Sequence, residues 1–332
     1  MPELPEVETL ARDLRATVLG RTITEAWVSP EAPRLVQEMP VDLFCAALRG
    51  QRIEQVSRRG KYLLVGLDPS TGSGQALEQA VEEAGRLIHR ANHVVALVGA
   101  GLSVESGIPP FRGPGGLWTK YGEPDMRGYE RFMEDPKEWW EQRISRTGSY
   151  QELVDALAQA KPNAGHAALK EMEELGYLKH IITQNIDNLH QEAGSRAITE
   201  IHGNRTKLRC LGCSQRWPLD GFPIDELPPK CPECAGIVKS DTVMFGEPIP
   251  RDALDECIRQ AQVCDCMLLV GTSAQVYPAA GFPLDVKRSG GSLIEVNPNE
   301  TPLTEVADVV LRAPSGESLP LVVTRLQELA EA

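Results

Sequence analysis

Three observations predict an α/β protein built on a doubly wound parallel sheet. Short apolar runs recur at "HVVALVGAG", "KHIITQN", "DCMLLVGTS", "SLIEVN" and "DVVLRA"; helix-like or loop-rich stretches separate them; and the first four run into small, polar or glycine-rich residues. Continuous apolar runs too short for a helix are the mark of strands buried on both faces. Their alternation with helices makes the sheet parallel. Ligands bind such sheets beyond the carboxyl ends of the strands, so "GAGLS", "TQNID", "GTS" and "NPN" are expected to share one crevice.

Along the chain, residues 1–67 read as a short α+β fragment. Val7, Leu10, Leu14 and Val18 recur at helical spacing, and "RIEQVSRRGKYLLVGL" reads as two strands joined by a basic turn at Arg58–Gly60. "LDPSTGSGQ" concentrates Pro, Gly and Ser, which predicts a linker over 68–75. An amphipathic helix over Ala76 to Arg90 then feeds the first apolar run, and the main domain is expected to fill 76–332.

Composition bounds the function. Apolar residues make up 42% and charged ones 24%, ordinary for a soluble globular chain. No apolar run approaches the ~20 residues that cross a bilayer, and no basic-then-apolar leader opens the sequence. A cytoplasmic protein without membrane attachment is expected. The net charge is −13, yet residues 1–67 carry nine charges of each sign, so the whole excess lies after them. An acidic body argues against nucleic acid, which needs clustered Lys and Arg, and suits a lysine-bearing partner.

Four of the eight cysteines form "CLGC" (Cys210, Cys213) and "CPEC" (Cys231, Cys234). Two knuckles at this separation make a zinc-ribbon pattern, with all four sulfurs on one tetrahedral ion. With every position filled by thiolate the ion is expected to be structural. Disulfides are disfavoured in the cytoplasm. Cys45, Cys257, Cys264 and Cys266 read as packing or surface residues.

"VVALVGAGLS" sets Gly99, Ala100 and Gly101 directly after a strand, where small residues let backbone N–H groups approach a pyrophosphate. As a dinucleotide fingerprint the match is partial, because Val104 stands where a third glycine belongs and Tyr121 where an acid belongs. The wider constellation says more. "GAGLSVESGIPPFRG", "TQNIDNLHQEAG", "IHGN", the paired CxxC, "VMFGE", "GTSAQVYPAA" and "VNPN" follow one another in one chain. From about residue 76 onward the sequence resembles the sirtuins, NAD-dependent protein-lysine deacylases. The resemblance implies a Rossmann-like sheet with a small zinc-ribbon and helical module, the ribbon over about 205–240 and the helical insertion over about 118–165. It implies NAD and Zn(2+) as cofactors and an acylated lysine peptide as partner. In that family the acyl oxygen attacks C1′ of the nicotinamide ribose and nicotinamide leaves.

By the same resemblance His202 is the general base, acting through a ribose hydroxyl, with Asn185 beside it in catalysis. Gln184 and Asn185 order the ribose and its water, while Ile186 and Asp187 grip the carboxamide of nicotinamide. Asp187 could equally cap a helix. Phe111 shields the sugar and Arg112 lies near the phosphates or ribose. Gly271, Thr272 and Ser273 belong at the phosphates and ribose, and Asn297, Pro298 and Asn299 at the adenosine. Ser103, Trp118 and Ser315 complete the cofactor set. The loop departs from the common family pattern at Pro110, which replaces an aspartate. Val243, Phe245, Gly246 and Glu247 are expected to form a short edge strand to which the peptide adds, Phe245 lining the acyl-lysine tunnel. Desuccinylating members carry Tyr-x-x-Arg; "EWWEQR" puts Trp140 and Arg143 at those positions, so acetyl and other short apolar acyl groups are expected. His166 and His190 are expected to be packing residues.

"PELPEVETL" and "LRGQRIEQVSRRGKYLLVGL" resemble the N-terminal end of formamidopyrimidine-DNA glycosylase. That likeness implies a Pro2 amine nucleophile, Glu3 as acid and Lys61 assisting strand cleavage. It stops near residue 67, short of that family's remaining domains, and a net-neutral fragment lacks the basic surface needed to extrude a base. A docking or remnant module is expected. DNA glycosylase/lyase chemistry, ADP-ribosyl transfer and NAD hydrolysis are the rival activities.

Overall fold

The computed structural model describes residues 4–28, 44–45, 48–59, 62–67, 73–112, 115–145 and 149–331. Pro2, Glu3 and Lys61 lie outside the described residues. The chain divides into two compact units, residues 1–80 and 81–332. The expected linker is shorter than 68–75, because the helix Ser73–Arg90 already begins within it.

In the first unit, the helix Leu4–Val18 accompanies an antiparallel hairpin of β1 (Ile53–Arg59) and β2 (Tyr62–Leu67). Val7, Ala11 and Val56 are buried, and Leu14 and Val18 are half-buried, whereas Leu10 is 52% exposed. The buried stripe is therefore 7, 11, 14, 18. Leu10 falls off it because Ala11 takes the position one turn beyond Val7. Arg15 Nε donates to Val56 O at 2.5 Å, and Arg58 pairs with Glu8 at 2.5 Å.

The second unit holds a six-stranded sheet of β3 (Val94–Val98), β4 (Leu178–Thr183), β5 (Ile198–Glu200), β9 (Cys266–Val270), β10 (Ser292–Val296) and β11 (Val309–Leu311). A separate three-stranded ribbon consists of β6 (Lys207–Cys210), β7 (Arg216–Pro218) and β8 (Val238–Ser240). The large sheet runs β11-β10-β9-β3-β4-β5, every pair parallel. The chain winds outward from β3 to β5, returns to the other side of β3 as β9, and winds outward again. This is the Rossmann strand order, and its reversal lies between β3 and β9. All five residues of β3 and of β9 are buried. Val95, Leu97, Met267 and Leu269 pack with Ile182 and Phe282 into the central core. Cys257, Cys264 and Cys266 sit in that interior, where burial pushes each thiol up to about 12 and leaves it inert.

The helical insertion comprises Leu117–Tyr121, Gly128–Glu134, Pro136–Ser145 and Ser149–Gln159, followed by Ala164–Glu174, which Asn163 caps through a capping box with His166. Trp140, expected near the acyl group, is 2% exposed. It packs with Leu208, Cys210, Cys231 and Val238 of the ribbon, and its indole N–H donates to Val238 O at 3.1 Å. Its ring is thus consumed in seating the helix on the ribbon. Arg143 lies with its guanidinium 5.2 Å from the Trp139 ring. Among the described residues, no helix is long and apolar enough to cross a membrane.

Candidate active site

The tips of β3 and β9 lie side by side at the reversal of the strand order, the place where parallel sheets take their ligands. Gly99 N donates to Val270 O at 2.9 Å and Gly101 N to Gly271 O at 2.8 Å, so these N–H groups are spent on the neighbouring strand tip. The glycines also meet a packing need. A Cβ on Gly101 would stand 2.7 Å from Gly271 Cα, and one on Gly271, at φ +57°, would stand 2.3 Å from Leu102 N. Only chain without side chains lets the two tips close on each other.

"TQNID" leaves β4 beside the tip of β3. Asn185 Nδ2 donates to Gly99 O at 3.0 Å and lies 3.2 Å from the Ser103 hydroxyl, which donates to Asp187 Oδ2 at 2.7 Å. Asp187 Oδ1 accepts from Leu189 N at 3.0 Å. Asp187 is therefore oriented from both sides, doing the capping work and still offering lone pairs. Gln184 Nε2 reaches Thr272 Oγ1 at 2.9 Å, joining β4 to the "GTS" loop. Asn297 Nδ2 donates to Thr272 O at 3.4 Å and its Oδ1 accepts from Asn299 N at 3.1 Å, while Pro298 and Asn299 are exposed. Ser273 is half-buried and Ser315 buried, the latter beside Gly165 at the start of the helix Ser315–Glu331. Ile186 joins the same loop through its carbonyl, which accepts from Arg205 N at 3.0 Å.

His202 follows β5, a three-residue strand that the apolar-run reading did not register. Its Nδ1 lies 3.2 Å from Gln184 O. A carbonyl oxygen only accepts, so Nδ1 carries the hydrogen and Nε2 keeps its lone pair. Burial lowers the pKa of this imidazole, with the Gln184 carbonyl pulling weakly the other way, so the neutral form prevails at pH 7. Gly203 follows at φ +74°, where a Cβ would stand 2.0 Å from Asp241 O. The "HG" pair thus turns against the segment that leaves the ribbon, and His202 O accepts from Val243 N at 2.8 Å.

Aromatic side chains border this side of the site. Phe111 lies 5.2 Å from Trp118, Trp118 lies 5.7 Å from Phe245, and the Arg112 guanidinium sits 4.3 Å over Trp118. An open cleft of about 310 Å³ is lined by Phe111, Leu117, Trp118, Tyr121 and Leu153 among others. Val243–Glu247 is not the expected strand. β8 ends at Ser240, and the segment runs irregularly into a turn at Phe245–Gly246. Among the described residues it pairs with no neighbouring strand. Glu247 was expected to meet the peptide, but its side chain is 2% exposed and bound to Arg209 and Lys239. Those two cations, with Asp241, escape a motif reading. Their signal is a charged residue within each strand flanking the knuckles, in "KLRC" and "IVKSD".

The four knuckle sulfurs lie within 4.8 Å of one another, Cys210 to Cys234 at 3.4 Å and Cys213 to Cys231 at 3.6 Å. A tetrahedral zinc with bonds of ~2.3 Å needs sulfurs about 3.8 Å apart. Four thiolates at these spacings fit the ion. Gly212 and Gly236 keep the space beside them clear, since a Cβ on either would stand 3.2 and 3.1 Å from Cys234 and Cys210 sulfur respectively. The His166 and His190 rings lie 5.1 Å apart between centroids, tilted 58° to each other. His166 Nε2 and both His190 nitrogens are buried without a protein partner. Burial holds His166 down at about 4 and His190 at about 3, so both are neutral packing rings as expected.

Comparison with known proteins agrees with this geometry. The Sir2 family model matches residues 99–278, and the formamidopyrimidine-DNA glycosylase N-terminal domain model matches residues 1–92, beyond the limit of 67 read from motifs. An NAD-dependent protein deacylase of Thermococcus kodakarensis is 43% identical over 252 residues, covering 74% of this chain and 95% of the relative. An NAD-dependent protein deacetylase of Sulfurisphaera tokodaii is 44% identical over 246 residues, covering 73% and 94%. A Sir2 homolog solved with NAD superimposes with a TM-score of 0.64 at 40% identity, covering 75% of this chain and 94% of that one. A Sir2–p53 peptide–NAD+ complex does so with 0.60 at 34%, covering 75% and 98%. The chain belongs to the Sir2 family.

Proposed function

We propose that the chain is an NAD-dependent protein-lysine deacylase, with NAD gripped at the switch point between β3 and β9 and an acyl-lysine peptide laid along Val243–Phe245. The observation that carries this reading is His202: its Nδ1–H is committed to Gln184 O, which leaves a neutral Nε2 as base. NAD supplies the ribose carbon that accepts the acyl oxygen and the nicotinamide that departs. His202 then takes the proton of a ribose hydroxyl. Asn185 and Ser103 hold Asp187 against the carboxamide end, and Gln184, Thr272 and Ser273 order the phosphates and ribose. Asn297, Pro298 and Asn299 take the adenosine, with Ser315 behind the Ala100–Ser106 turn. Phe111, Arg112 and Trp118 exclude water from the reacting sugar.

Short apolar acyl groups, acetyl first, are the proposed substrates, because Trp140 is occupied by the ribbon and supplies no phenol for an acidic tail. The zinc at Cys210, Cys213, Cys231 and Cys234 is structural, every position being filled by sulfur. The cytoplasm, where thiols stay reduced, is the proposed compartment. Mass-spectrometric product analysis with NAD and a panel of acylated peptides tests the reading. Free lysine peptide, nicotinamide and acyl-ADP-ribose in equal amounts are expected from acetyl peptide. ADP-ribose without acylated product would make the enzyme an NAD hydrolase instead.

A further inference from the structure

Arg209 on β6 and Lys239 on β8 are cross-strand partners in register. Their side chains are 6% and 0% exposed, and those of Asp241 and Glu247 are 3% and 2% exposed. Arg209 Nε donates to Asp241 Oδ1 at 2.9 Å and its Nη2 to Glu247 Oε1 at 2.6 Å; Lys239 Nζ lies 3.0 Å from Glu247 Oε2. Arg216 adds a further bond to Asp241 at 3.0 Å and reaches outward to Asp252 at 2.7 Å. Buried charges that could be exchanged for apolar packing are weak contributors to stability, and such a cluster calls for a reason of another kind.

The reason lies in what the cluster holds. Lys239 Nζ donates to the carbonyls of Ser240 and Thr242 at 2.8 and 2.7 Å. Glu247 Oε2 accepts the N–H of Met244 at 2.9 Å, and Glu247 N closes the turn onto Met244 O at 3.0 Å. Val243 N is tied to His202 O at 2.8 Å, and Phe245 O accepts from Tyr129 N at 3.0 Å. Among the described residues the segment pairs with no strand, and its course is set from beneath by these charges. We infer that Lys239 and Arg209 are positioning residues for the acyl-lysine peptide: through the Glu247 carboxylate they fix the backbone of Val243–Phe245 in the form to which an extended peptide adds. The inference rests on the deacylase reading. Neither cation touches substrate.

The test compares Lys239→Met, Lys239→Arg and Glu247→Gln with the unaltered chain, measuring kcat and KM for acetyl peptide and for NAD, with zinc content alongside. Lys239→Met is expected to raise the peptide KM about tenfold or more, with kcat at saturating peptide, NAD KM and zinc content within about twofold. Lys239→Arg, which restores the charge, is expected to recover most of the peptide KM. An unchanged peptide KM in folded Lys239→Met overturns the inference. So does an equal loss toward NAD and peptide, which would make the cluster a folding element. Should Lys239→Met fail to fold, Glu247→Gln decides by the same split. If the unaltered chain shows no NAD-dependent deacylation, the deacylase reading falls, and the positioning role with it; full wild-type activity beside an indifferent variant removes the positioning role alone.

Discussion

Among the described residues of the first unit, the buried apolar side chains are Val7, Ala11 and Val56, while Leu10, Trp27, Leu64 and Val65 stand exposed. In residues 81–332 every position of β3 and β9 is buried, and a second cluster of Trp140, Leu208, Val238 and two cysteines seats the ribbon. Both units match a family. They differ in what supports the matching residues. The Sir2 residues are held by side-chain bonds that span the fold, such as Gln184 to Thr272, Ser103 to Asp187 and His202 to Gln184. In the first unit the described contacts between helix and hairpin include Arg15 to Val56 O and Arg58 to Glu8, and residues 20–23 bond to residues 50–53. Recognisable sequence is thus a weaker guide to activity than the number of independent elements that converge on a reacting atom.

The contrast can be broken or sharpened by experiment. Stripping zinc with a chelator, or Cys213→Ser, removes a binding energy of order 10 kcal/mol. Loss of the ribbon's order and of deacylation together is expected, followed by near-UV circular dichroism and thiol titration; activity surviving complete metal loss would refute the structural role. His202→Ala is expected to lower kcat by at least about 10²-fold with an unchanged melting temperature, since among the described residues the imidazole bonds to the Gln184 carbonyl alone.

Acid offers a third comparison. His166 and His190 fall from the ordinary 6.5 to about 4 and about 3, both chiefly through burial, and His202 is lowered in the same way. The unfolded chain binds these protons more readily than the folded one. Stability contributed by the neutral rings is therefore complete above pH 6.5 and is lost as pH falls from there through 4 towards 3. Midpoints of urea unfolding that hold steady over that range would contradict it. The rate should fall only below pH 6.5, as His202 takes up its proton. The smallest effect is expected from beginning the chain at residue 73: kcat and KM for peptide within about twofold. A tenfold loss there would mean that the first unit assists the second.

Much of this was legible in the sequence for a physical reason. β3, β4, β9, β10 and β11 all lie in the apolar runs, because strands covered on both faces have no polar alternation to hide them. β5 escaped notice: Ile198–Glu200 is short and mixed, and it is a strand only because β4 offers it a parallel neighbour. The cysteine cluster was legible through its spacing, while His202 was singled out by its motif alone. The Arg209–Lys239–Asp241–Glu247 cluster was not, since a charge in a short strand normally reads as a solvated face. Glu247 and Trp140 were placed by family resemblance, as a peptide contact and a pocket residue. Only the packing of helix on ribbon reveals where each is buried. The glycines of "GAG" and "GTS" also let two strand tips meet, which sequence cannot show because the tips are far apart in the chain.

That junction has a bearing on when the protein becomes competent. Gly99 and Gly101 leave the ribosome early, whereas Val270 and Gly271, which complete their bonds, emerge only after the insertion and the ribbon have been made. A nascent chain can pair β3, β4 and β5 before β9 exists, yet the bonds that join Gly99 and Gly101 to the tip of β9 form only once β9 lies beside β3.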